Sequence, residues 1–192
     1  MKKEIKESNT TNANFYRLVS TLDEETMMID IVPHEDLYFT LGERFIGAIP
    51  EPIQFEVDTE VGGTRLPTLF LPEPVFSVDF LKMLQDCGVD TIDDYAIEIR
   101  DNKNAICSFS AKYRAVNIIS SLDCVDMVHS EYEKVEDLFF FDKLVLNTLA
   151  AKGAEFFRVY HAEEHIVVSH SLASRMDLSQ FPDIVLEPLA SV

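Results

Sequence analysis

Between Ala115 and Cys124 the chain carries Ala115, Val116, Ile118, Ile119, Leu122 and Cys124, with no alternation that would leave one face polar. A short apolar run rich in β-branched residues suits a strand covered on both faces, so the run belongs in the interior of a sheet. The wider stretch Tyr113–Glu133, YRAVNIISSLDCVDMVHSEYE, is therefore the expected organiser of the fold. Val116, Ile118 and Leu122 are expected core residues of one central strand. Asn117 interrupts the run, and a buried amide without partners costs about 1–3 kcal/mol, so partners are expected for it. Past Cys124 the polar residues Asp126, His129, Ser130, Glu131 and Glu133 read as an exposed exit loop.

Upstream, residues 1–13 are polar and read as a loosely held arm. Phe15–Val19 has the texture of a first strand, and Met27–Val32 of a second that ends at Pro33. Six prolines (Pro33, Pro50, Pro52, Pro67, Pro72 and Pro74) and four glycines (Gly42, Gly47, Gly62 and Gly63) then break the chain into short β segments and loops. Gly62-Gly63 marks a turn between Phe55–Val57 and Leu66–Leu71. Phe76, Phe80, Met83, Leu84 and Cys87 recur at helical spacing, with Ser77 placed to cap the helix, Asp79 in its first turn and Gly88 placed to end it. Tyr95, Ile97 and Ile99 alternate with polar neighbours as in a half-buried strand, Asp101–Asn104 forms a turn, and Ala105–Phe109 returns as a strand.

Leu138–Asn147, LFFFDKLVLN, reads as a second apolar core run. Phe156–Tyr160 and Ile166–Ser169 read as a hairpin joined through His161-Ala162-Glu163-Glu164-His165. Ser169 or Ser171 can cap a short helix through Met176, and Ile184–Leu186 is a last strand. The expectation is an α+β fold with one principal antiparallel or mixed sheet in the C-terminal two-thirds, a few helices, and an irregular Pro-rich N-terminal β/loop region. Residues 1–192 form a single domain in this reading: an arm over 1–13, short strands and loops over 14–75, and the principal α+β core over 76–192. At 192 residues roughly 70% of the unfolded surface can be buried.

Charge narrows the function. The 34 acidic residues against 16 basic ones give a net charge of −18, which repels nucleic-acid phosphates and anionic membranes. The first 15 residues lack the apolar segment of a secretory signal, and no stretch approaches the ~18 apolar residues of a spanning helix. Cys87, Cys107 and Cys124 are odd in number and widely spaced, as expected of small buried hydrophobes in a reducing compartment. A cytoplasmic location is expected.

His161-Ala162-Glu163-Glu164-His165 matches the H-x-x-E-H pattern of inverted zinc peptidases. That chemistry needs a helix, where residues four apart share a face and both imidazoles reach one metal. Here the flanks FFRVY and IVVSH are strand-like, so a solvated hairpin tip is the expected structure, with no metal and no cofactor. Cys124 with Asp123 and His129 could be a thiol–imidazole pair, but Cys124 lies in the apolar run and reads as structural. Pro33-His34-Glu35-Asp36 reads as a solvated acidic loop rather than a ligand set. Gly62-Gly63-Thr64-Arg65 lacks the strand–loop–helix context of a phosphate loop. Asp93-Asp94 is one carboxylate pair among many in so acidic a chain. No catalytic set is expected.

Three stretches, FYRL near the start, YRAVNIISSLDCVDMVHSEY in the middle, and KLVLN followed by EFFRVYHAEEHIVVSHSLASRM, resemble a bacterial family of immunity proteins. These accompany polymorphic toxin and contact-dependent competition systems, and many carry only a domain of unknown function. The residues that carry the resemblance are Tyr113, Val116, Asn117, Asp123, Asp126 and Ser130, then Phe157, Arg158, Ile166, Val168, Ser169 and Leu172. It covers the C-terminal half well and the Pro-rich region poorly. Family members tend to have a glycine before the last strand, where this chain has Phe181-Pro182-Asp183. The resemblance implies a non-catalytic, cytosolic protein that binds and neutralises a cognate protein toxin. A basic toxin would suit the acidic surface, since opposite potentials speed encounter. The same charge equally serves solubility or a saline habitat. The acidic residues to test as a partner surface are Asp23, Glu24, Glu25, Glu35 and Asp36, and Glu131, Glu133, Glu136 and Asp137. The competing readings are a zinc-dependent hydrolase using His161, Glu164 and His165, and an adaptor subunit of a secretion system. Oligomeric state is left open.

Overall fold

In the computed structural model, residues 13–21, 23, 25–33, 39, 41–61, 63–70 and 74–192 are described. The expected arm at 1–13 lies outside them but for Ala13, as do Glu24, His34, Glu35, Asp36 and Gly62. In chain order the strands and helices are β1 (Phe15–Ser20), β2 (Met28–Pro33), β3 (Ile53–Val61), β4 (Leu69–Phe70), β5 (Val75–Ser77), α1 (Val78–Asp86), β6 (Ile92–Arg100), β7 (Tyr113–Ile118), β8 (Ser121–Leu122), β9 (Glu131–Val135), β10 (Leu138–Lys143), β11 (Val145–Leu146), β12 (Phe156–Val159), β13 (Ala162–Ser169), α2 (His170–Ala173) and β14 (Ile184–Ser191).

The strands form two six-stranded mixed sheets and a separate two-stranded ribbon, where the sequence suggested one principal sheet. The first sheet runs β11-β14-β1-β13-β12-β8 and joins the two ends of the described chain, because β1 lies antiparallel between β14 and β13. The second runs β2-β3-β6-β7-β5-β4 and draws half of its strands from residues 28–70. β7 lies inside this sheet, between β6 and β5, as its apolar run requires. Val116 and Ile118 face a core shared with Phe156, Ile166 and Val168 of the first sheet, and with Phe80 and Leu84 of α1. Tyr113 and Ala115 face an outer core with Ile53, Phe55 and Ile99. The other face of the first sheet is covered by 144–154, with Leu144, Leu146 and Ala151 packing on Phe157, Val159 and Val167.

Leu122 does not continue β7. The chain leaves the second sheet after Ile118, and β8 pairs parallel with β12 in the first sheet, where Leu122 is only half-buried. The Arg158 amide donates to the Ser120 carbonyl and the Tyr160 amide to the Leu122 carbonyl, so this short strand hands the chain from one sheet to the other. Asn117 is fully buried and its Nδ2 donates to the Glu43 carbonyl at 2.8 Å, which ties the loop before β3 to the central strand.

Local signals account for the helices. The Ser77 hydroxyl accepts from the Phe80 amide at 3.3 Å and starts α1, and Gly88 at φ +89° ends it. The periodicity placed Phe76 on this helix, but it belongs to β5 and packs edge-on against Phe80. Ser169 caps α2 in the same manner, accepting from the Leu172 amide at 3.1 Å. Gly63, at φ +61°, sits so close to the Met27 backbone that a Cβ would collide with it. The strands on either side of Gly63 do not pair with each other: β3 pairs with β2 and β6, while β4 pairs with β5.

Two sequence expectations fail for identifiable reasons. Ala105–Phe109 is not a strand. β3 occupies one side of β6 and β7 takes residues 92–96 on the other, leaving room for a single bridge, Arg100 to Ile106. The Ser110 hydroxyl then accepts the Ile99 amide that another strand would have taken. Leu138–Phe141 is not a core strand: Leu138 and Phe140 are exposed, and only Phe141 reaches a core. The segment forms the ribbon with β9, in which Leu138 pairs with Val135 and Phe140 with Glu133. β9 and β10 pair with each other across a two-residue turn at Glu136-Asp137, and among the described residues the ribbon joins neither sheet by backbone pairing.

Candidate functional site

The ribbon is the feature that the core does not explain. Successive residues of a strand point to opposite faces, and here the two faces differ in chemistry. The inner face carries Tyr132, Lys134, Phe139 and Phe141. Tyr132 lies 5.5 Å from Phe139 and 5.6 Å from Phe141, and Phe139 lies 4.8 Å from His161 in the β12–β13 turn, measured between ring centroids. Phe141 reaches the outer core of the first sheet. This face anchors the ribbon.

The outer face carries Glu131, Glu133, Val135, Leu138 and Phe140, all exposed, with Leu138 at 65% and Phe140 at 56% of full exposure. Glu136 and Asp137 stand at the tip. Among the described residues β9 pairs only with β10, so one edge of each strand carries no partner strand. Such an edge is a template for pairing with another chain, and aromatic side chains next to it are the kind that anchor interfaces. The acidic group Glu131, Glu133, Glu136 and Asp137 singled out from sequence therefore falls together on one projecting element. The aromatic half of the surface was missed, because LFFF without alternation reads as buried. The turn-forming Glu136-Asp137 pair between two β-prone runs was the available signal.

Between the ribbon and the β12–β13 turn lies a cleft of 760 Å³ lined by Lys134, Asp137, Leu138, Phe139, Phe140, Tyr160, His161, Glu163 and Glu164. The turn itself is shorter than expected: only Tyr160 and His161 lie outside β12 and β13, and His161 takes φ +74°, rare for a side chain-bearing residue. The Glu163 carboxylate accepts the His161 amide at 3.1 Å and holds that turn.

The H-x-x-E-H residues are thus split between a turn and a strand, and the helical face that would aim both imidazoles at one metal is absent. His165 is largely buried, and burial holds its imidazole below the ordinary value, with Glu164 opposing and Arg17 reinforcing the shift. Among the described residues no group of three or more His, Cys, Asp and Glu side chains is placed to hold a metal ion.

The N-terminal acidic group is built differently. Asp23 accepts from the Thr26 amide and hydroxyl, both at 2.7 Å, and from Arg65 at 2.7 Å, with Glu25 3.6 Å from the same guanidinium. The Thr26 hydroxyl first, and Arg65 next, hold the Asp23 carboxyl well below the usual carboxylate range. Asp23 therefore works inside the fold. Asp93 and Asp94 pair with Arg44 at 2.9 Å and Arg114 at 2.7 Å. Cys124 is buried in the outer core of the first sheet, where burial pushes its thiol up to about 11, while His129 pairs with Asp126.

A second cleft, of 580 Å³, contains the buried Asp183, but its two oxygens accept from the Thr68 amide at 2.6 Å and hydroxyl at 2.7 Å. Tyr113 beside it donates to the Pro67 carbonyl at 2.6 Å, and burial raises its hydroxyl far above the ordinary value. These groups hold the fold together and are not presented to a substrate.

No protein-family model matches the chain. No curated protein matches it either. Among the described residues no helix is long and apolar enough to cross a membrane.

Proposed function

We propose that this chain is a non-catalytic binding protein that neutralises a cognate bacterial toxin in the cytosol, and that the β9–β10 ribbon is its docking element. The observation that carries the reading is the ribbon itself. It is an element with its own backbone pairing, one face spent on anchoring, and the other presenting Phe140 and Leu138 beside Glu131 and Glu133. An apolar centre with a charged rim, in which Lys143 pairs with Glu131 at 3.8 Å, matches the anatomy of protein interfaces. The −18 net charge favours a basic partner, and the sequence resemblance supplies the toxin–immunity context.

The test is to express the neighbouring gene product in cells with and without this protein, scoring growth and co-purification. Rescue of growth together with a stable complex supports the reading, and loss of both in a Phe140→Asp variant that folds normally ties it to the ribbon. Toxicity unaffected by the protein removes it. Stoichiometric zinc in protein purified without added metal, lost in a His161→Ala/His165→Ala variant, would favour the hydrolase reading. Co-purification with secretion components alone would favour the adaptor.

A further inference from the structure

The cleft between the ribbon and the β12–β13 turn has a composition that selects one kind of ligand. Four rings line it (Phe139, Phe140, Tyr160 and His161), with three carboxylates (Asp137, Glu163 and Glu164) against a single ammonium, Lys134. Tyr160 is half exposed, and its ring centroid lies 4.1 Å from that of His161. The Lys134 ammonium already rests over the Phe139 ring, 4.9 Å from its centroid. The wall thus seats a cation of its own chain.

We propose that this cleft receives an arginine side chain from the protein partner, an inference that rests on the binding function above. A guanidinium is planar and weakly hydrated, so it stacks on ring faces while its N–H groups donate to carboxylates at the rim. An ammonium can sit over one ring, as Lys134 does over Phe139, but has no plane to lay along a second, and an anion meets three carboxylates.

A second copy of this chain is the poorer donor. Six of the seven arginines form ion pairs within the fold: Arg17 with Glu187, Arg44 with Asp93, Arg65 with Asp23, Arg100 with Glu98, Arg114 with Asp94 and Arg175 with Glu155. The seventh, Arg158, is buried and donates to the Glu163 carbonyl. A second copy would also bring its own −18.

The full-length protein, titrated at low salt with N-acetyl-arginine methylamide and followed by NMR, should show saturable shifts at Phe139, Tyr160 and His161. The citrulline counterpart, of the same shape without the charge, should give none. Lys134→Met removes the resident cation and should tighten binding roughly two- to fivefold, while Glu164→Gln should loosen it by a similar factor, the range of exposed cation–π and ion-pair contacts. Free arginine has the same net charge as the capped form and gains only its free backbone termini, so it should bind no more tightly. Clearly tighter binding of free arginine would assign the cleft to a small metabolite and overturn the partner assignment. A citrulline response equal to that of arginine, or no saturable shift at these rings, overturns the cleft itself. If the cleft fails while the neighbouring gene product still co-purifies, toxin binding stands without it. If arginine binds but no toxin is neutralised, the cation site stands and its protein donor falls.

Discussion

At the scale of single residues, two carboxylates that a charge count treats alike behave differently. Asp183 is 1% exposed, its carboxylate ties Thr68 to the start of β14, and its carbonyl accepts the Thr21 amide at 2.7 Å. Asp183→Ala leaves the buried Thr68 amide unsatisfied and should cost about 1–3 kcal/mol in urea unfolding, with Asp183→Asn costing less because one acceptor oxygen remains. Equal losses in the two variants would contradict the hydrogen-bond account. Asp23 is exposed but bonded to Thr26 and Arg65, which depress its folded-state pKa below the unfolded value of about 3.9. A depressed carboxylate stabilises the fold wherever the unfolded group is ionised, and that contribution disappears as pH falls through the folded value. Wild type should therefore exceed Asp23→Asn in thermal midpoint at pH 6, and the two should converge as pH drops below about 4. A difference independent of pH would show that Asp23 contributes through something other than its charge.

Among the elements, β7 and the ribbon are opposites made of similar residues. Ile118 is fully buried in the core between the sheets, whereas Leu122, four residues on, is half-buried on β8. Ile118→Ala should cost about 2–4 kcal/mol through lost burial and the cavity left behind. Leu122→Ala should cost clearly less in the same denaturant series, and equal costs would restore the single long strand that the apolar run suggested. On the ribbon, Phe140→Ser should leave stability within about 0.5 kcal/mol, as for other surface changes. It should nevertheless weaken partner binding, because Phe140 lies at the centre of the exposed face. A large drop in unfolding midpoint would mean that the outer face is packed after all.

For the whole molecule, the charge distribution matters more than its sum. With the arginines engaged internally, the surplus of carboxylates is left facing outward, and Glu131, Glu133, Glu136 and Asp137 concentrate it on a projecting hairpin. If this field steers a basic toxin, reversing Glu131 and Glu133 to Lys should slow association more than it speeds dissociation. Added salt should shrink the difference between wild type and variant, since the Debye length falls from about 10 Å at 0.1 M to about 3 Å at 1 M. Association indifferent to both salt and reversal would leave the apolar face as the sole source of recognition.

What the sequence determined alone is what short-range chemistry decides. The burial of Tyr113–Ile118 follows from an apolar run with no polar face, α1 and α2 from Ser77 and Ser169 as caps, and the Asp101–Asn104 turn from its polar residues. Loss of the zinc motif's helix was legible too, since FFRVY and IVVSH are strand-like on both sides of it. Tertiary structure alone decided how the strands distribute. Two sheets can share the core on one face of β7 because Ile119 and Ser120 let the chain cross from one to the other, and nothing local marks that crossing. It also decided that Leu138 and Phe140 stand in solvent. An apolar run records only that burial would be favourable. Whether a surface exists to bury it against depends on strands far away in the chain, and here the first sheet accepts Phe139 and Phe141 and leaves Leu138 and Phe140 outside.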